Sequence, residues 1–341
     1  MERFLALSTA DRARAFEQAG ARRGLPAGSV EKDFWVCLML RELFALPSIG
    51  DQLTFKGGTS LSKAWGLIDR FSEDIDLTIE RDGLGFSGDK GPEAATTGQE
   101  QRRRLDGLKL ACRGLITTAL APALRARLTE LLRANESWSL ESDSDDPDGQ
   151  TLLFAYPRLD SAVAPSYLKP VVKLEFGARS DPWPAESCLV TSIIAEEFPA
   201  LIEVPQSSVR ALLPERTFWE KVLLLHEEGF RPAGTMRRAR MARHYYDAWR
   251  LIEAGVAPRA AADVALFDRV VAHRRVFFKY GWVDYDTMKR GAIAMVPRVT
   301  QVDDWRRDYV AMQGEMFATT PPAFDEILTA VDRFQSEFNG A

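Results

Sequence analysis

The chain has 341 residues, a formal net charge of −5, 27% charged residues and 46% hydrophobic residues. This composition is globular, and the length is enough for about two domains whose cores need no disulfide or metal, which excludes general disorder. No stretch approaches the roughly 18 uninterrupted apolar residues that a membrane span needs and no signal peptide is recognised, so we expect a cytoplasmic protein without a membrane partner.

The first part of the chain predicts a strand–turn–helix–strand unit behind two helices. In chain order the predicted elements are helices over 8–23 and 29–46, a strand over 51–56, a helix over 59–68 and a strand over 74–80. A pair of glycines, Gly57 and Gly58, separates the first strand from the helix that follows it. These elements bring together most of the residues that can perform chemistry.

The later part of the chain is expected to change from strand to helix. We interpret residues 81–150 as a helical insertion with an acidic, solvated tip at 141–150. Strands are predicted over 151–156 and 168–176, and the pattern is helical after Pro205. The expected division is therefore a domain over 1–205 and a helical domain over 206–341.

Two carboxylates lie on one face of the predicted strand over 74–80. Alternation places Asp74, Asp76 and Thr78 on the same face. Two like charges about 4 Å apart repel by about 4 kcal/mol at an effective dielectric constant of 20, unless a proton or a cation intervenes. A divalent metal site is one interpretation, and a half-exposed edge strand with acidic residues facing water is the other.

The glycine pair indicates a phosphate-binding turn. Gly57, Gly58, Thr59 and Ser60 stand where a strand ends and a helix begins, so that backbone N–H groups can face an anion. The spacing is not that of a Walker A loop. An ordinary tight turn is the alternative.

Glu175 is a third candidate carboxylate. In the predicted strand over 168–176 it shares a face with Lys173, so it either completes a three-carboxylate metal site or forms an ion pair with that lysine.

The motifs together resemble the AbiEii/AbiGii toxin family of nucleotidyltransferases, in the DNA polymerase β-like superfamily, and are similar to MenT-type tRNA nucleotidyltransferase toxins. The resemblance covers nearly the whole chain outside 81–150. The similar segments are Glu31-Lys32-Asp33, Phe55-Lys56-Gly57-Gly58-Thr59, Arg70-Phe71-Ser72-Glu73-Asp74-Ile75-Asp76-Leu77, the run 213–221, Arg243-His244-Tyr245-Tyr246-Asp247, and shorter pieces at 273–278, 296–297 and 324–328.

The resemblance implies both a fold and an activity. The fold is α+β: a polymerase-β-like nucleotidyltransferase domain with a mixed sheet flanked by helices, followed by a helical C-terminal domain, with the active site between them. The activity is transfer of NMP from a nucleoside triphosphate to an acceptor hydroxyl, with Mg²⁺ (or Mn²⁺) held by Asp74, Asp76 and Glu175. The implied acceptor is the tRNA 3′ end, and the implied role is that of a toxin in phage defence, controlled by a cognate antitoxin.

Three further residues acquire candidate roles beside this resemblance. Lys221 lies in an otherwise apolar helical stretch and either holds the triphosphate or extends to the surface. Asp247 either positions Lys221 or an acceptor hydroxyl, or pairs with Arg243 or Arg250. Ser72 either caps the entry of the strand or contacts a phosphate.

An arginine-rich segment over 231–243 contains no acidic residue. Its arginines Arg237, Arg238, Arg240 and Arg243 precede Tyr245, Tyr246 and Trp249, and a basic strip beside aromatic rings suits RNA. A solvated loop is the alternative. Because the chain is acidic overall, binding of nucleic acid over the whole surface is disfavoured, and no DNA partner is expected.

Two other functions remain open from the sequence. The acceptor hydroxyl can belong to a protein or a small molecule instead of tRNA. A non-catalytic protein of the same fold that only binds nucleotide or RNA is the third possibility, although intact carboxylates argue against it.

Overall fold

The computed structural model describes residues 1–72, 74–159, 169–317 and 320–340. The chain divides into two compact units. The first comprises Met1–Ala64 and Ser72–Ala211, and the second comprises Trp65–Phe71 and Leu212–Ala341. The chain therefore leaves the first unit for a short segment directly before the predicted DxD strand and returns to it. No sequence pattern had indicated that excursion.

A mixed sheet of seven strands forms the centre of the first unit within the described residues, in the order β3-β4-β5-β2-β1-β7-β6. Its strands are β1 (Leu53–Lys56), β2 (Ile75–Ile79), β3 (Ser139–Ser142), β4 (Thr151–Ala155), β5 (Val171–Gly177), β6 (Ala185–Thr191) and β7 (Gln206–Leu212). Strand β2 pairs antiparallel with β1 and parallel with β5. Strand β2, which contains Asp76 and directly follows Asp74, is therefore central and has a strand on each side.

The helices of the first unit supply an apolar core. They are α1 (Glu2–Leu5), α2 (Thr9–Arg23), α3 (Ala27–Phe44), α4 (Gly57–Lys63), α5 (Gly98–Leu115), α6 (Ala121–Leu131) and α7 (Ile193–Glu197). A π-helical turn, Ile116–Leu120, joins α5 to α6. The side chain of Ser8 caps α2 by accepting from the N–H of Asp11. Rings of Phe4, Phe16 and Phe34 pack together between these first three helices.

The described part of the second unit is helical. Its helices are α8 (Pro214–Gly229), α9 (Arg243–Glu253), α10 (Val256–Ala262), α11 (Val264–Phe277), α12 (Val299–Met316) and α13 (Phe324–Gly340). Trp219 of α8 is fully buried and packs against Phe267 of α11 and Phe338 of α13. The apolar residues of α8 that are expected to pack it are all buried, and Lys221 is buried among them: they are Phe218, Trp219, Val222, Leu223 and Leu225. Short 3₁₀ turns elsewhere in the chain cover Gly50–Gln52, Asp82–Leu84, Gly88–Lys90, Pro92–Ala94, Pro199–Leu201 and Tyr285–Thr287.

The predicted fold class, a mixed sheet with helices and a helical C-terminal region, is confirmed. Three local expectations differ from the structure. The insertion over 81–150, expected to be helical with a solvated tip at 141–150, also contains strand β3, which pairs with β4. The helix expected over 59–68 ends at Lys63, and the pattern after residue 205 first forms strand β7, whose Val209 and Ala211 are buried while alternate residues are more exposed. The strand expected over 168–176 is β5 in its described part; its first residue, Leu168, lies outside the described residues. No helix in the described ranges is long and apolar enough to cross a membrane.

Candidate active site

A row of charged side chains crosses the sheet of the first unit. Asp76 is the register partner of Lys56 on β1 and of Glu175 on β5. Register partners point to the same face, so one lysine and two acids lie side by side. Burial, the largest effect, raises the pKa of Asp76 to about 6; the charge of Lys56 opposes this, and the charges of Glu175 and Asp74 add to it. A proton on Asp76 or a cation beside it relieves the repulsion.

The glycine turn contacts this row directly. Helix α4 begins at Gly57, directly after the end of β1 and two residues before its predicted start at Thr59. Gly57 has a φ of +80°, and a Cβ atom placed on it would overlap Oδ2 of Asp76. Only glycine meets both conditions without strain or displacement of the carboxylate. The turn and the carboxylate predicted from separate motifs are thus neighbours in the structure.

Thr59 holds this part of the site together from inside. It is fully buried, and its hydroxyl donates to the main-chain oxygen of Asp74 at 2.5 Å and lies 2.9 Å from the hydroxyl of Ser72. Ser72 is half-buried and Asp74 is exposed. Thr59 therefore fixes the start of the DxD strand rather than facing solvent. Ser60 is also fully buried, and its hydroxyl has no hydrogen-bond partner among the described residues.

Glu175 pairs with the lysine on its own strand. Lys173 Nζ lies 2.5 Å from Oε1 of Glu175 and 3.9 Å from Oδ2 of Asp143. Burial acts to raise the pKa of Glu175, but the hydrogen bond and charge of Lys173 lower it. Glu175 therefore forms the ion pair that was one of the two sequence alternatives, and it also stands beside Asp76 on the neighbouring strand.

The donor set fits a hard divalent cation. All three candidate ligands are carboxylates, and oxygen ligands suit Mg²⁺ and Mn²⁺. Across the described ranges, no group of three or more His, Cys, Asp or Glu side chains is already arranged to hold a metal ion. Because Mg²⁺ is usually bound by one or two carboxylates together with substrate phosphates and waters, a pair of acids is sufficient for a site that substrate completes.

The motif Glu31-Lys32-Asp33 supports the scaffold. All three side chains are buried in α3. Asp33 pairs with Lys63 at the end of α4 and accepts a hydrogen bond from the N–H of Ile193 at 2.7 Å. Glu31 accepts one from the N–H of Leu159 at 3.0 Å, and burial raises its pKa to about 7. The helix that carries the glycine turn is thereby fastened at its other end.

The second unit contains a buried ionic cluster around Asp247. Its Oδ2 accepts from Lys221 Nζ at 2.6 Å, and its two oxygens accept from Arg70 Nε and Nη2 at 2.6 and 2.8 Å. Burial acts to raise the pKa of Asp247, but the charges of Arg70 and Lys221 hold it well below its usual range. Burial lowers the pKa of Lys221, and the Asp247 charge opposes this effect.

These contacts show which charged side chains Asp247 pairs with. It pairs with Lys221 and not with the nearby arginines: Arg250 pairs with Asp69, and Arg243 donates to the main-chain oxygen of Arg240. Arg70 was not singled out from the sequence as a site residue. Its partner lies 177 positions away along the chain, so no local pattern could have indicated the pair.

The arginine-rich segment is only partly available to a ligand. Arg237 donates to Glu228 at 2.9 Å and lies 3.7 Å above the ring of Trp305. Arg238 and Arg240 are exposed, and the N–H of Arg240 donates to Asp308. Arg243 begins α9.

The aromatic residues expected beside these arginines are placed differently. Tyr245 and Tyr246 are buried, the first against Trp305 and the second against Phe317. The expectation that these two rings stack on bases is therefore wrong, because the apolar face of α9 packs into the core.

Comparisons with known proteins agree with the motifs. A family model described as nucleotidyl transferase AbiEii toxin, type IV toxin–antitoxin system, matches residues 38–330. Among solved structures, the nucleotidyltransferase toxin MenT4 of Mycobacterium tuberculosis H37Rv is similar over 98% of both chains, with 18% identity and a TM-score of 0.43. A search of curated proteins gave no match. Because the family model covers most of the chain, the protein belongs to the AbiEii family of nucleotidyltransferase toxins of type IV toxin–antitoxin systems, and it is a nucleotidyltransferase.

Proposed function

We propose that the protein transfers a nucleotidyl group from a nucleoside triphosphate to a hydroxyl at the 3′ end of tRNA, with a divalent cation, Mg²⁺ or Mn²⁺. The observation that supports this most directly is the pairing of Asp76 with Glu175 on adjacent strands, against the backbone of Gly57. A pure binding protein has no need to hold two acids together in a half-buried position.

The candidate site residues of the first unit take different roles according to their positions. Asp74, Asp76 and Glu175 would hold the cation, which when bound neutralises phosphate charge and orients the triphosphate. Backbone N–H groups at Gly57 and Gly58 would face the phosphates, together with the hydroxyl of the half-buried Ser72. Ser60 was also a candidate phosphate ligand, but its side chain is fully buried and cannot reach a phosphate in this structure. Thr59 positions Asp74 and Ser72 for this task, as its hydrogen bonds indicate.

Lys221 and Asp247 belong to the second unit. We assign Lys221 to phosphate binding, as a point charge whose direction Asp247 and Arg70 fix. Asp247 acts through Lys221 and is a positioning residue.

The reaction is an in-line displacement at the α-phosphorus. The acceptor oxygen forms a bond to that phosphorus and loses its proton, and the bond to the β-phosphate oxygen breaks to release pyrophosphate. The protein contributes mainly positioning and charge neutralisation, which supply most of the rate enhancement in phosphoryl and nucleotidyl transfer.

The test is incubation of the native chain with total tRNA and each of the four α-labelled nucleoside triphosphates in turn. We expect an RNase-sensitive labelled product that disappears in Asp76→Asn and Glu175→Gln and persists in Asp51→Asn, an exposed carboxylate in the same unit. Equal labelling by the Asp76 variant contradicts the proposal. A labelled product that resists RNase assigns the acceptor to a protein or small molecule, and nucleotide binding without any transfer assigns a non-catalytic role.

The biological part of the proposal is a toxin that acts in the cytoplasm, limits phage growth and is neutralised by a cognate antitoxin. Expression in a bacterial host tests it: the native chain should arrest growth, and Asp76→Asn should not. Co-expression of the neighbouring gene should restore growth.

A further inference from the structure

A cavity of about 680 Å³ lies in the second unit between the arginine-rich segment and the start of α12. It is lined by residues within 231–239 and 298–308. Five arginines and two aspartates are among its lining residues in the described part of the chain. An excess of guanidinium groups around an open volume of this size indicates a site for an anionic ligand larger than a single phosphate.

Not all of these arginines are available. Glu228 pairs with both Arg231 and Arg237, and Arg307 pairs with Asp304. Arg238 and Arg298 are exposed, and neither forms an ion pair with any carboxylate that the structure describes.

The two aspartates that line the cavity already have partners within the protein. Asp308 accepts hydrogen bonds from the main-chain N–H groups of Arg240 and Ala242, which fixes this part of the arginine-rich segment against α12. Asp304 forms an ion pair with Arg307. Arg238 thus lies two residues before a backbone segment that Asp308 holds in place, and Arg298 stands directly before α12.

An aromatic pair continues this surface. The guanidinium of Arg231 lies 5.4 Å above the ring of Trp282, and Trp282 stacks on Tyr280 with 4.9 Å between ring centroids and an interplanar angle of 21°. Tyr280 is 46% exposed. A stacked pair that leaves one ring open to solvent, next to arginines, can accept a further flat ring.

We propose that the cavity and the Tyr280–Trp282 pair form a binding site for single-stranded RNA. Arg238 and Arg298 bind backbone phosphates, and Tyr280 stacks on an unpaired base. The choice of RNA rests on the proposed function, in which the acceptor is the unpaired 3′ end of tRNA. The aromatic pair favours RNA over an acidic protein segment, because carboxylates use arginines but gain nothing from a free aromatic face.

The test is titration of a fluorescently labelled single-stranded RNA with the full chain, by anisotropy, between 50 and 200 mM salt. We expect Arg238→Ala/Arg298→Ala to weaken binding at least tenfold and to reduce the slope of log K against log salt by about 1.4, or about 0.7 for each lost phosphate contact. Tyr280→Ala should weaken binding about 5- to 100-fold with an unchanged slope, because stacking carries no charge. Arg14→Ala/Arg333→Ala, two exposed arginines elsewhere, is the matched control and should bind as the native chain does.

Three outcomes overturn the inference: no RNA binding by the native chain, equal affinity of the cavity variant and the control, or displacement of RNA by polyglutamate with no effect of Tyr280→Ala. The last assigns the cavity to an acidic protein partner. The transfer assay on tRNA, run beside it, separates this inference from the proposed function. If the cavity and Tyr280 variants weaken RNA binding as predicted but the native chain transfers no nucleotide, the RNA site is supported and the proposed function is rejected. If the native chain transfers nucleotide but these variants bind RNA as it does, the proposed function is supported and the RNA site is rejected.

Discussion

Gly57 and Asp76 approach so closely that glycine is the only residue that leaves the carboxylate in place. The contact joins the phosphate-binding turn to the carboxylate row, since Asp76 also pairs in register with Glu175. A side chain at position 57 would therefore act on the candidate metal ligand directly and not only on the backbone.

Gly57→Ala is expected to lose activity by about 100-fold or more, because displacement of a catalytic group by about 1 Å has an effect of that order. Nucleotide transfer measures it. Gly66→Ala is a matched control: Gly66 also has a positive φ, +63°, but a Cβ atom there meets nothing within 4 Å. Both variants carry similar backbone strain, of about 1–2 kcal/mol. Similar thermal stability with unequal activity supports the contact, whereas equal loss of activity in both variants rejects it.

Asp76→Asn is expected to stabilise the fold at pH 8 while abolishing transfer. Burial raises the pKa of Asp76 to about 6, so the folded state binds its proton more tightly than the unfolded state. Its contribution to stability is therefore present below about pH 4, and it is lost as the pH rises through 6. Asparagine avoids that loss, and we expect a gain of about 1–2 kcal/mol in the free energy of unfolding at pH 8.

Urea unfolding in EDTA at pH 4 and at pH 8 checks this sign. The gain should be present at pH 8 and small at pH 4. Adding Mg²⁺ should stabilise the native chain and not Asp76→Asn, because only the native row offers the paired carboxylates. The exposed control Asp51→Asn should change stability by less than about 0.5 kcal/mol. If Asp76→Asn is less stable than the native chain at pH 8, the charged carboxylate of Asp76 does not destabilise the native fold, and the prediction is wrong.

Asp247→Asn and Lys221→Met are expected to differ sharply in stability. Asparagine leaves Arg70 and Lys221 buried without a carboxylate, which costs about 3–5 kcal/mol. Methionine removes the lysine charge but leaves the two hydrogen bonds from Arg70 to Asp247, so the cost should be about 1 kcal/mol. Because the pKa of Asp247 is lowered, its contribution is present above about pH 4 and is lost at lower pH.

Urea unfolding at pH 7 and pH 3 measures both effects, with the exposed Lys289→Met as control. The difference in the free energy of unfolding between the native chain and Asp247→Asn should be smaller at pH 3 than at pH 7. In the transfer assay a folded Lys221→Met should be inactive if Lys221 binds phosphate. Full activity in that variant would restrict the cluster to a structural role.

The sequence was sufficient to predict strand β2 with Asp76 and the glycine pair at the boundary between β1 and α4. These features depend on local pattern: a period of two residues in a strand and a glycine pair at its boundary with a helix. Glu175 was also accessible to sequence reasoning, because its strand is apolar on the opposite face. The register that sets it beside Asp76 became visible only in the sheet.

Long-range and surface features could not be predicted in the same way. In the sequence, Lys56 stands out only as part of the segment Phe55-Lys56-Gly57-Gly58-Thr59. Its position as register partner of Asp76 depends on the pairing of β1 with β2. Tyr245 and Tyr246 were expected at a basic surface, but one face of α9 is buried and takes both rings. The stacked pair Tyr280 and Trp282 lies in a segment without helix or strand, where no periodicity marks which side chains face solvent.

Thr59→Val separates positioning from phosphate binding. Valine keeps the shape of threonine but loses the hydroxyl that donates to the main chain of Asp74 and contacts Ser72. A buried carbonyl that loses its donor costs about 1–3 kcal/mol, and we expect a loss of this size in urea unfolding. If Thr59 only positions Asp74, kcat should fall about tenfold with little change in the KM for nucleotide, and Thr59→Ser should restore it. An increase in KM at constant kcat would instead mean that the threonine hydroxyl binds phosphate itself, because uniform binding is lost in that case.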